Sequence, residues 1–242
     1  MLTSDILQDR IKNFWGYGSL DAKVWFVGME EGLGPADTEL EERMRAGDGK
    51  SMVDMRLGMP HLPEFMRWFR EPFPIQPTWK YPIALYLCLK NRHNPSQQEI
   101  RDHQGLILGD SVLKKSATVE LMPLPSRKAD ESTWLYREYG VPGLNSRKEY
   151  LATYKPMRIQ ELKHLIEKYN PNLIIFYSLR YLPDWVEIIG KIPEKITHQM
   201  YFTKTEKTSF CVIPQSVSFG MSYDRIYEFA EKIKERVGLF SC

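Results

Sequence analysis

Four short apolar segments, each bounded by glycine, proline or a polar turn, limit the folds that this chain can adopt. They are residues 23–27, 117–122, 172–177 and 209–213. Continuous runs of β-branched and aromatic residues of this length are typical of strands that are covered on both faces. A fifth strand, over residues 197–203, is predicted to pair in antiparallel fashion with the last one across the polar turn 204–208. The chain is therefore expected to contain a sheet with a buried, parallel centre.

Helical patterns fill the intervals between these strands. They cover residues 38–45, 62–70, 82–90, 96–108, 156–169 and 222–237. Ser146 and Glu149 have the spacing of a capping box, in which the two side chains bond free backbone N–H groups at a helix start. The alternation of strands and helices predicts an α/β fold. We expect one domain over residues 1–242, with a three-layer α/β/α architecture and a mainly parallel central sheet.

Composition excludes several classes of protein. Hydrophobic residues make up 43% of the chain and charged residues 26%, so a packed core is expected. No apolar run reaches the roughly 18 residues of a membrane span, and the charged N-terminal residues lack the apolar region of a signal peptide. A cytoplasmic protein with no membrane partner is therefore expected. The three cysteines are widely spaced and form no ligand cluster with the five histidines, so no metal or other cofactor is implied.

Polar loops follow the predicted strands, and in an open parallel sheet ligands bind beyond the carboxyl ends of the strands. The loops are residues 28–35, 123–128, 178–180 and 214–220. In the first loop, glycines allow close approach to a ligand, while Glu30 and Glu31 supply carboxylates in place of the lysine of a phosphate-binding loop. A carboxylate at a strand end suits the activation of water or the stabilisation of a developing cation. The alternative is a solvated acidic turn.

Two further loops carry candidate binding groups. Gln215, Ser216 and Ser218 lie between the last strand and the last helix, where they are candidates for ligand contact. The alternative for this segment is ordinary helix capping by Ser218 or Ser222. Arg127 and Lys128 follow the second strand, and further basic residues lie at positions 147, 148, 155 and 158. Basic residues beside aromatic ones suit contact with a phosphate backbone, although a solvated charged face has the same composition.

Taken together, these loops resemble the motifs of the uracil-DNA glycosylase superfamily, in the same order, from about Lys23 to the final helix. Residues 26–32 (FVGMEEG) resemble its first motif, with Glu30 at the position of the water-activating Asp or Asn. Residues 119–125 (VELMPLP) resemble the central strand and its Pro-x-Pro turn, with Glu120 at the position of the base-recognising Asn. Residues 214–216 (PQS) resemble the His-Pro-Ser motif. The chain departs from the family at Glu31, which replaces a proline, and at Gln215, which replaces the histidine.

The resemblance implies a uracil-DNA glycosylase-like fold and the cleavage of a base that has been flipped out of DNA. Glu30 would orient or deprotonate a water molecule, and Gln215 would donate a hydrogen bond to the departing base. The resemblance further implies base-binding and DNA-binding residues. The base-binding residues would be Gly28, Met29, Glu120 and Ser216, and the DNA-binding residues would be Arg127, Lys128 and Ser218.

The identity of the base depends on the protonation state of Glu120. An ionised Glu120 only accepts hydrogen bonds and favours a base that presents an amino group, so a base other than uracil is expected. A protonated Glu120, which burial promotes, restores a donor.

Two other functions stay open. One is a catalytically inactive module of the same fold that binds nucleic acid or a protein partner, and the other is a hydrolase of free nucleosides or nucleotides.

An iron–sulfur cluster, found in some branches of the superfamily, is not supported by three cysteines. The protein is expected to be a monomer.

Overall fold

The computed structural model describes residues 2–34, 37–47, 49–55, 67–69, 74–90, 93–104, 109–128, 130–218 and 220–237. Within these residues, eight strands form one mixed sheet in the order β3-β1-β4-β2-β5-β8-β7-β6. The strands are β1 (Gly16–Gly18), β2 (Val24–Gly28), β3 (Met52–Val53), β4 (Ala117–Glu120), β5 (Leu173–Tyr177), β6 (Glu194–Thr197), β7 (Met200–Lys204) and β8 (Ser209–Ile213).

The four segments predicted as buried strands form the parallel centre of this sheet. Strand β2 pairs in parallel with β4 on one side and with β5 on the other, and β5 pairs in parallel with β8. All five residues of β2 and of β8 are buried, as expected for strands covered on both faces. The prediction of an α/β fold with a mainly parallel sheet centre is confirmed.

Seven α-helices lie in the described part of the chain. They are α1 (Ser4–Asn13), α2 (Asp37–Ala46), α3 (Lys80–Lys90), α4 (Gln97–Asp102), α5 (Arg147–Tyr169), α6 (Leu182–Ile189) and α7 (Tyr223–Val237). Helix α5 begins after Ser146, whose hydroxyl accepts the Glu149 backbone N–H at 3.0 Å, and it continues through Pro156. None of the described helices has the length and apolar character that a membrane crossing requires.

Two apolar clusters occupy the faces of the sheet. Trp25 and Val27 of β2 belong to a cluster with side chains of α1, α2, α5 and α6. Val24 and Phe26 belong to a second cluster with side chains of α3, α4 and α7. Because successive side chains of a strand point to opposite faces, the alternation in β2 assigns each cluster to its own face.

The structure corrects several sequence-based boundaries. The predicted strand 197–203 corresponds to β7, which begins only at Met200, because Thr197 ends β6 and a turn at residues 198–199 reverses the chain. The predicted antiparallel pairing with β8 is confirmed for β7. The helix predicted over 96–108 ends at Asp102 in its described part, and residues 105–108 lie outside it. The helix predicted over 62–70 lies outside the described residues except for 67–69, which form a turn.

The second half of the predicted capping box at Ser146 does not form. The Glu149 carboxylate accepts from the Asn145 amide at 2.9 and 3.1 Å instead of from the Ser146 backbone.

The loops that follow β2 and β4 are joined by main-chain hydrogen bonds. The Leu121 N–H donates to the Gly28 carbonyl at 2.9 Å, and the Met122 N–H donates to the Met29 carbonyl at 2.6 Å. Further along, the Ser126 N–H donates to the Glu31 carbonyl at 2.9 Å. This ladder continues the parallel pairing of the two strands, and it fixes the acidic loop beside the residues that follow β4.

Candidate functional site

A cavity of about 460 Å³ opens at the carboxyl ends of the central strands. This volume is within the roughly 300–1,000 Å³ of pockets for small ligands. Its apolar walls include Phe26, Leu33, Met55, Trp68 and Trp79. Its polar lining includes Glu30, Glu31, Glu120, Tyr177, Gln215 and Ser216. The predicted site loops after β2 and β8 therefore meet the ends of β4 and β5 around one space, whereas the predicted site loops 123–128 and 178–180 do not line it.

Glu30 lies at the edge of this cavity and forms a bidentate ion pair with Arg147. The Arg147 Nη2 donates to Glu30 Oε1 at 2.7 Å, and Nη1 donates to Oε2 at 3.0 Å. Only 9% of the Glu30 side chain and 6% of the Arg147 side chain are exposed. Burial raises the pKa of Glu30 to about 7, against the opposing effect of Arg147 and Arg180. Glu30 therefore changes charge near neutral pH, as a general base requires.

Glu31 is buried between two arginines. Its Oε2 accepts from Arg10 Nη2 and from Arg43 Nη1, each at 3.3 Å. Arg10 is itself held by the Pro123 carbonyl at 2.9 Å and by the Arg43 carbonyl at 3.1 Å. Two guanidinium groups thus bind one oxygen of this carboxylate. Since both glutamates of the loop are sequestered from solvent, the alternative of a solvated acidic turn is wrong.

Glu120 lies at the end of β4 with 4% of its surface exposed. Its Oε1 accepts from the Tyr177 hydroxyl at 3.2 Å. Burial, reinforced by the nearby Glu31 carboxylate, raises the pKa of Glu120 well above its usual range. Of the two protonation states left open by the sequence, burial thus favours the protonated form of Glu120.

Two buried polar atoms of residues that line the cavity, Thr118 Oγ1 and Glu120 Oε2, have no hydrogen-bond partner among the described residues. Such atoms are rare in folded proteins, because a buried polar group without a partner costs about 1–3 kcal/mol. The Tyr17 hydroxyl lies beside the Glu31 carboxylate, to which it can donate a hydrogen bond.

Gly28 leaves room for the contact between Tyr177 and Glu120. A methyl group added at Gly28 would collide with the Tyr177 hydroxyl and would lie 2.8 Å from Glu120 Oε2. We expect Gly28→Ala to lower the free energy of unfolding by about 1–3 kcal/mol, because the side chains must shift. Urea denaturation followed by circular dichroism measures the effect. Gly32→Ala is the matched control, since a methyl group there meets nothing within 4 Å, and an equal effect at both positions would contradict the expectation.

The structure separates the predicted site residues into two groups. Glu30, Glu120, Gln215 and Ser216 line the cavity, and Gly28 lies directly against Glu120. Met29 is 5% exposed and packs in the core cluster on the opposite face of the sheet, because it alternates with Gly28 along the strand direction.

The three predicted DNA-binding residues do not line the cavity. Lys128 and Ser218 are exposed, and Arg127 is half-buried. Helix capping, the alternative for the serines, is performed by Ser222, whose hydroxyl accepts the Arg225 N–H at 3.3 Å.

The basic residues that follow along the sequence are not one surface patch. Arg147 is 5% exposed and pairs with Glu30 inside the protein. Arg158 is fully buried beneath the β4 loop. Both side chains are occupied by internal partners, so neither belongs to a solvated face or to an exposed phosphate-binding surface.

Sequence reasoning missed Tyr17, Thr118 and Tyr177. Thr118 and Glu120 are two residues apart on β4, so the strand period alone places both on the same face. Tyr177 is the last residue of β5, at the edge where ligands are expected. Tyr17 lies in a three-residue strand between two glycines, and such a segment gives no periodic signal.

No protein-family model matches the chain, and a search of curated proteins finds no match to its sequence. The resemblance to the uracil-DNA glycosylase superfamily is thus a hypothesis carried by motifs and geometry. Within the described residues, no three His, Cys, Asp or Glu side chains are grouped so as to hold a metal ion.

Proposed function

We propose that this protein is a divergent DNA glycosylase that takes a modified or damaged base, flipped out of DNA, into the cavity and hydrolyses its N-glycosidic bond. The fold would then be the three-layer α/β/α arrangement of the uracil-DNA glycosylase superfamily, acting as a monomer. The observation that carries the proposal is the meeting of Glu30, Glu120 and Gln215 around one partly apolar cavity. These three residues occupy the motif positions that the resemblance assigns to water activation, base recognition and support of the leaving base.

The geometry supports distinct roles for Glu30 and Gln215. Each oxygen of Glu30 has a second lone pair beyond the one used by Arg147, so the carboxylate can still accept from a water molecule in the cavity. The negative charge of Glu30 would also stabilise the cationic sugar that forms as the glycosidic bond breaks. Gln215 is exposed at the cavity edge, and its amide can donate to the departing base.

A second candidate function rests on the ion pair itself. Arg147 binds both oxygens of Glu30 at hydrogen-bonding distance, so the carboxylate is less free than a general base that faces only solvent. This arrangement favours a module of the same fold that binds nucleic acid without cleaving it. Such a module would shift DNA in a gel without releasing a base, and Glu30→Gln would leave its affinity unchanged.

A panel of oligonucleotides that carry different lesions tests the proposal. Wild-type protein and Glu30→Ala are incubated with single- and double-stranded substrates, and abasic sites are measured by alkaline cleavage. The proposal predicts abasic sites from at least one substrate with wild type alone. Binding without cleavage on every substrate supports the inactive module, and turnover of free nucleosides without DNA affinity supports a small-molecule hydrolase. Phosphate contacts would appear as a steep loss of DNA affinity with added salt.

Arg147→Met should shift the pH profile of base release toward higher pH. Arg147 opposes the rise in the pKa of Glu30, so its removal raises that pKa further above 7. Because a general base acts in its ionised form, activity at pH 7 should fall by about tenfold for each unit of the shift. Activity should recover toward pH 9. Arg147→Lys keeps the positive charge and should shift the profile less; two identical profiles would contradict the assignment of Glu30 as the base.

A further inference from the structure

One wall of the cavity comes from a part of the chain that lies outside the strand-end loops. Arg67, Trp68, Gln76, Thr78 and Trp79 line the cavity and lie in sequence between β3 and α3. We call these five residues the outer wall. None of them belongs to a motif on which the family resemblance rests, so their role follows from their own geometry and chemistry.

The buried Gln104 holds the two parts of the outer wall together. Only 4% of this residue is exposed. Its Nε2 donates to the Trp68 carbonyl at 2.7 Å and to the Pro74 carbonyl at 3.2 Å, and its Oε1 accepts the Gln76 N–H at 2.8 Å. A buried amide that is bonded at both ends rigidifies the main chain that it contacts. The outer wall is therefore preformed.

The two tryptophans of the outer wall differ in their surroundings. The Trp79 N–H donates to Gln76 Oε1 at 2.9 Å, and its ring packs against Phe69 with the ring centres 5.6 Å apart. Trp68 is half-buried and belongs to none of the apolar clusters that the described residues form. A tryptophan that lines a cavity without joining the core presents a large flat ring to a ligand, and nucleic-acid bases stack on such rings.

Arg67 places a positive charge beside Trp68. Its guanidinium carbon lies 4.4 Å from the centre of the Trp68 ring, and the residue is exposed. The planar donors of an arginine match the oxygens of a phosphate group. Because the guanidinium and the indole are this close, one nucleotide is large enough to bring its base to Trp68 and its phosphate to Arg67.

Within the described residues, the cavity carries more positive than negative groups. Four arginines line it or pair with the glutamates of its lining, namely Arg10, Arg43, Arg67 and Arg147. Three glutamates line it, namely Glu30, Glu31 and Glu120. The positive surplus remains even when all three glutamates are ionised, because arginine stays charged near neutral pH. The other three arginines are buried, so Arg67 is the one of this set that an incoming anion meets first.

We propose that the outer wall is the subsite for one nucleotide, with the base stacked on Trp68 and the phosphate paired with Arg67. Gln104 is a positioning residue, which holds the main chain that carries Trp68. This inference rests on the proposed function for the flipped nucleotide, and it extends that site to residues outside the family motifs. A free mononucleotide and a nucleotide within a DNA strand carry the same two groups.

Calorimetric titration combined with tryptophan fluorescence tests the ligand class. The probes are dCMP and dAMP, the nucleosides deoxycytidine and deoxyadenosine, ribose 5-phosphate, and a short single-stranded oligonucleotide. At least one monophosphate or the oligonucleotide should bind and quench the fluorescence. The nucleosides and ribose 5-phosphate, which each lack one of the two groups, should bind at least tenfold more weakly.

The comparison of probes also identifies the source of the nucleotide. Binding of the oligonucleotide alone assigns the subsite to a DNA strand, whereas equal or tighter binding of a monophosphate assigns it to free nucleotides. Absence of binding by the oligonucleotide and by both monophosphates would overturn the proposal. So would a nucleoside that binds as tightly as its monophosphate.

Two variants of the outer wall test the assignment of base and phosphate. Trp68→Leu should lower the affinity for the bound probe at least tenfold and remove most of the quenching. Arg67→Gln should lower that affinity at least tenfold but leave the weak nucleoside affinity within about twofold of wild type. Arg137→Gln, which removes another exposed arginine that does not line the cavity, is the control. Unchanged affinity in Arg67→Gln, or an equal loss in the control, would overturn the assignment.

Gln104→Leu tests the positioning role. The variant loses the hydrogen bonds to both parts of the outer wall, so the affinity for the bound probe should fall at least tenfold and the quenching at saturation should decrease. A residue that only stabilises the fold would lower the urea concentration of unfolding and leave the affinity and the quenching of the folded protein unchanged. The Arg67 and Trp68 variants decide the proposal if Gln104→Leu does not fold, because both side chains lie at the cavity surface.

The titrations separate this inference from the proposed function, because they measure binding without cleavage. Nucleotide binding that depends on Arg67 and Trp68, with no abasic sites formed on any oligonucleotide, would support the subsite and reject the glycosylase. Abasic sites formed by Arg67→Gln and Trp68→Leu with wild-type kcat and KM would do the opposite.

Discussion

Glu30→Gln is expected to slow base release by about 10²–10⁴-fold at pH 8, the range that a positioned general base contributes. Glutamine preserves the size of the side chain but cannot accept a proton or carry the negative charge that stabilises a cationic sugar. DNA affinity should change by no more than a few-fold, since Glu30 does not contact the phosphate backbone in this proposal. Single-turnover release of the base from the preferred oligonucleotide measures the rate.

The pH dependence provides a second readout of Glu30. Burial raises its pKa to about 7, so the active, ionised form is depleted below pH 7 and predominates above it. Wild-type activity should therefore rise with pH through about 7 and then level off, whereas the residual activity of Glu30→Gln should not. The exposed Glu138→Gln serves as the control and should behave as wild type. An unchanged rate in Glu30→Gln would reject Glu30 as the base.

Arg158→Met should lower the free energy of unfolding by about 3–5 kcal/mol. The guanidinium donates to the Leu121 and Phe14 carbonyls, each at 2.9 Å, and to the Glu120 carbonyl at 3.1 Å. It also lies 3.2 Å from the centre of the Trp15 ring. Methionine fills much of the same space but leaves three buried carbonyl groups without donors, at about 1–3 kcal/mol each before relaxation. Urea unfolding monitored by circular dichroism measures the loss.

Lys155→Met is the matched control for Arg158, because it lies one turn earlier on α5. Its ammonium group pairs with Asp184 at 2.6 Å, but 29% of the side chain is exposed. A partly solvated ion pair of this kind contributes about 0–1 kcal/mol. Equal losses in the two variants would show that Arg158 is not the structural link between helix α5 and the β4 loop.

The sequence by itself determined the centre of the sheet and the edge at which the cavity lies. The strand segments could be predicted because each is short and apolar and is followed by a turn residue. Their local hydrophobic pattern therefore agrees with their burial in the folded protein. From those segments the rule for open parallel sheets led to Glu30, Gln215 and Ser216, and the motif resemblance added Glu120; all four line the cavity. The strands β1 and β3, the last two at one end of the sheet, were not predicted, because two or three residues are too few to show a period.

Only the tertiary structure decided the state of each charged group. Arg147 and Arg158 look alike in the sequence, as basic residues of one amphipathic stretch, yet one pairs with Glu30 and the other binds three backbone carbonyls. The protonation of Glu120 likewise depends on Tyr177 and Glu31, which are brought to it by separate strands and loops. Local sequence specifies which residues are present at the end of a strand. The charge that they carry is set by burial and by neighbours distant along the chain, so it follows from the folded arrangement alone.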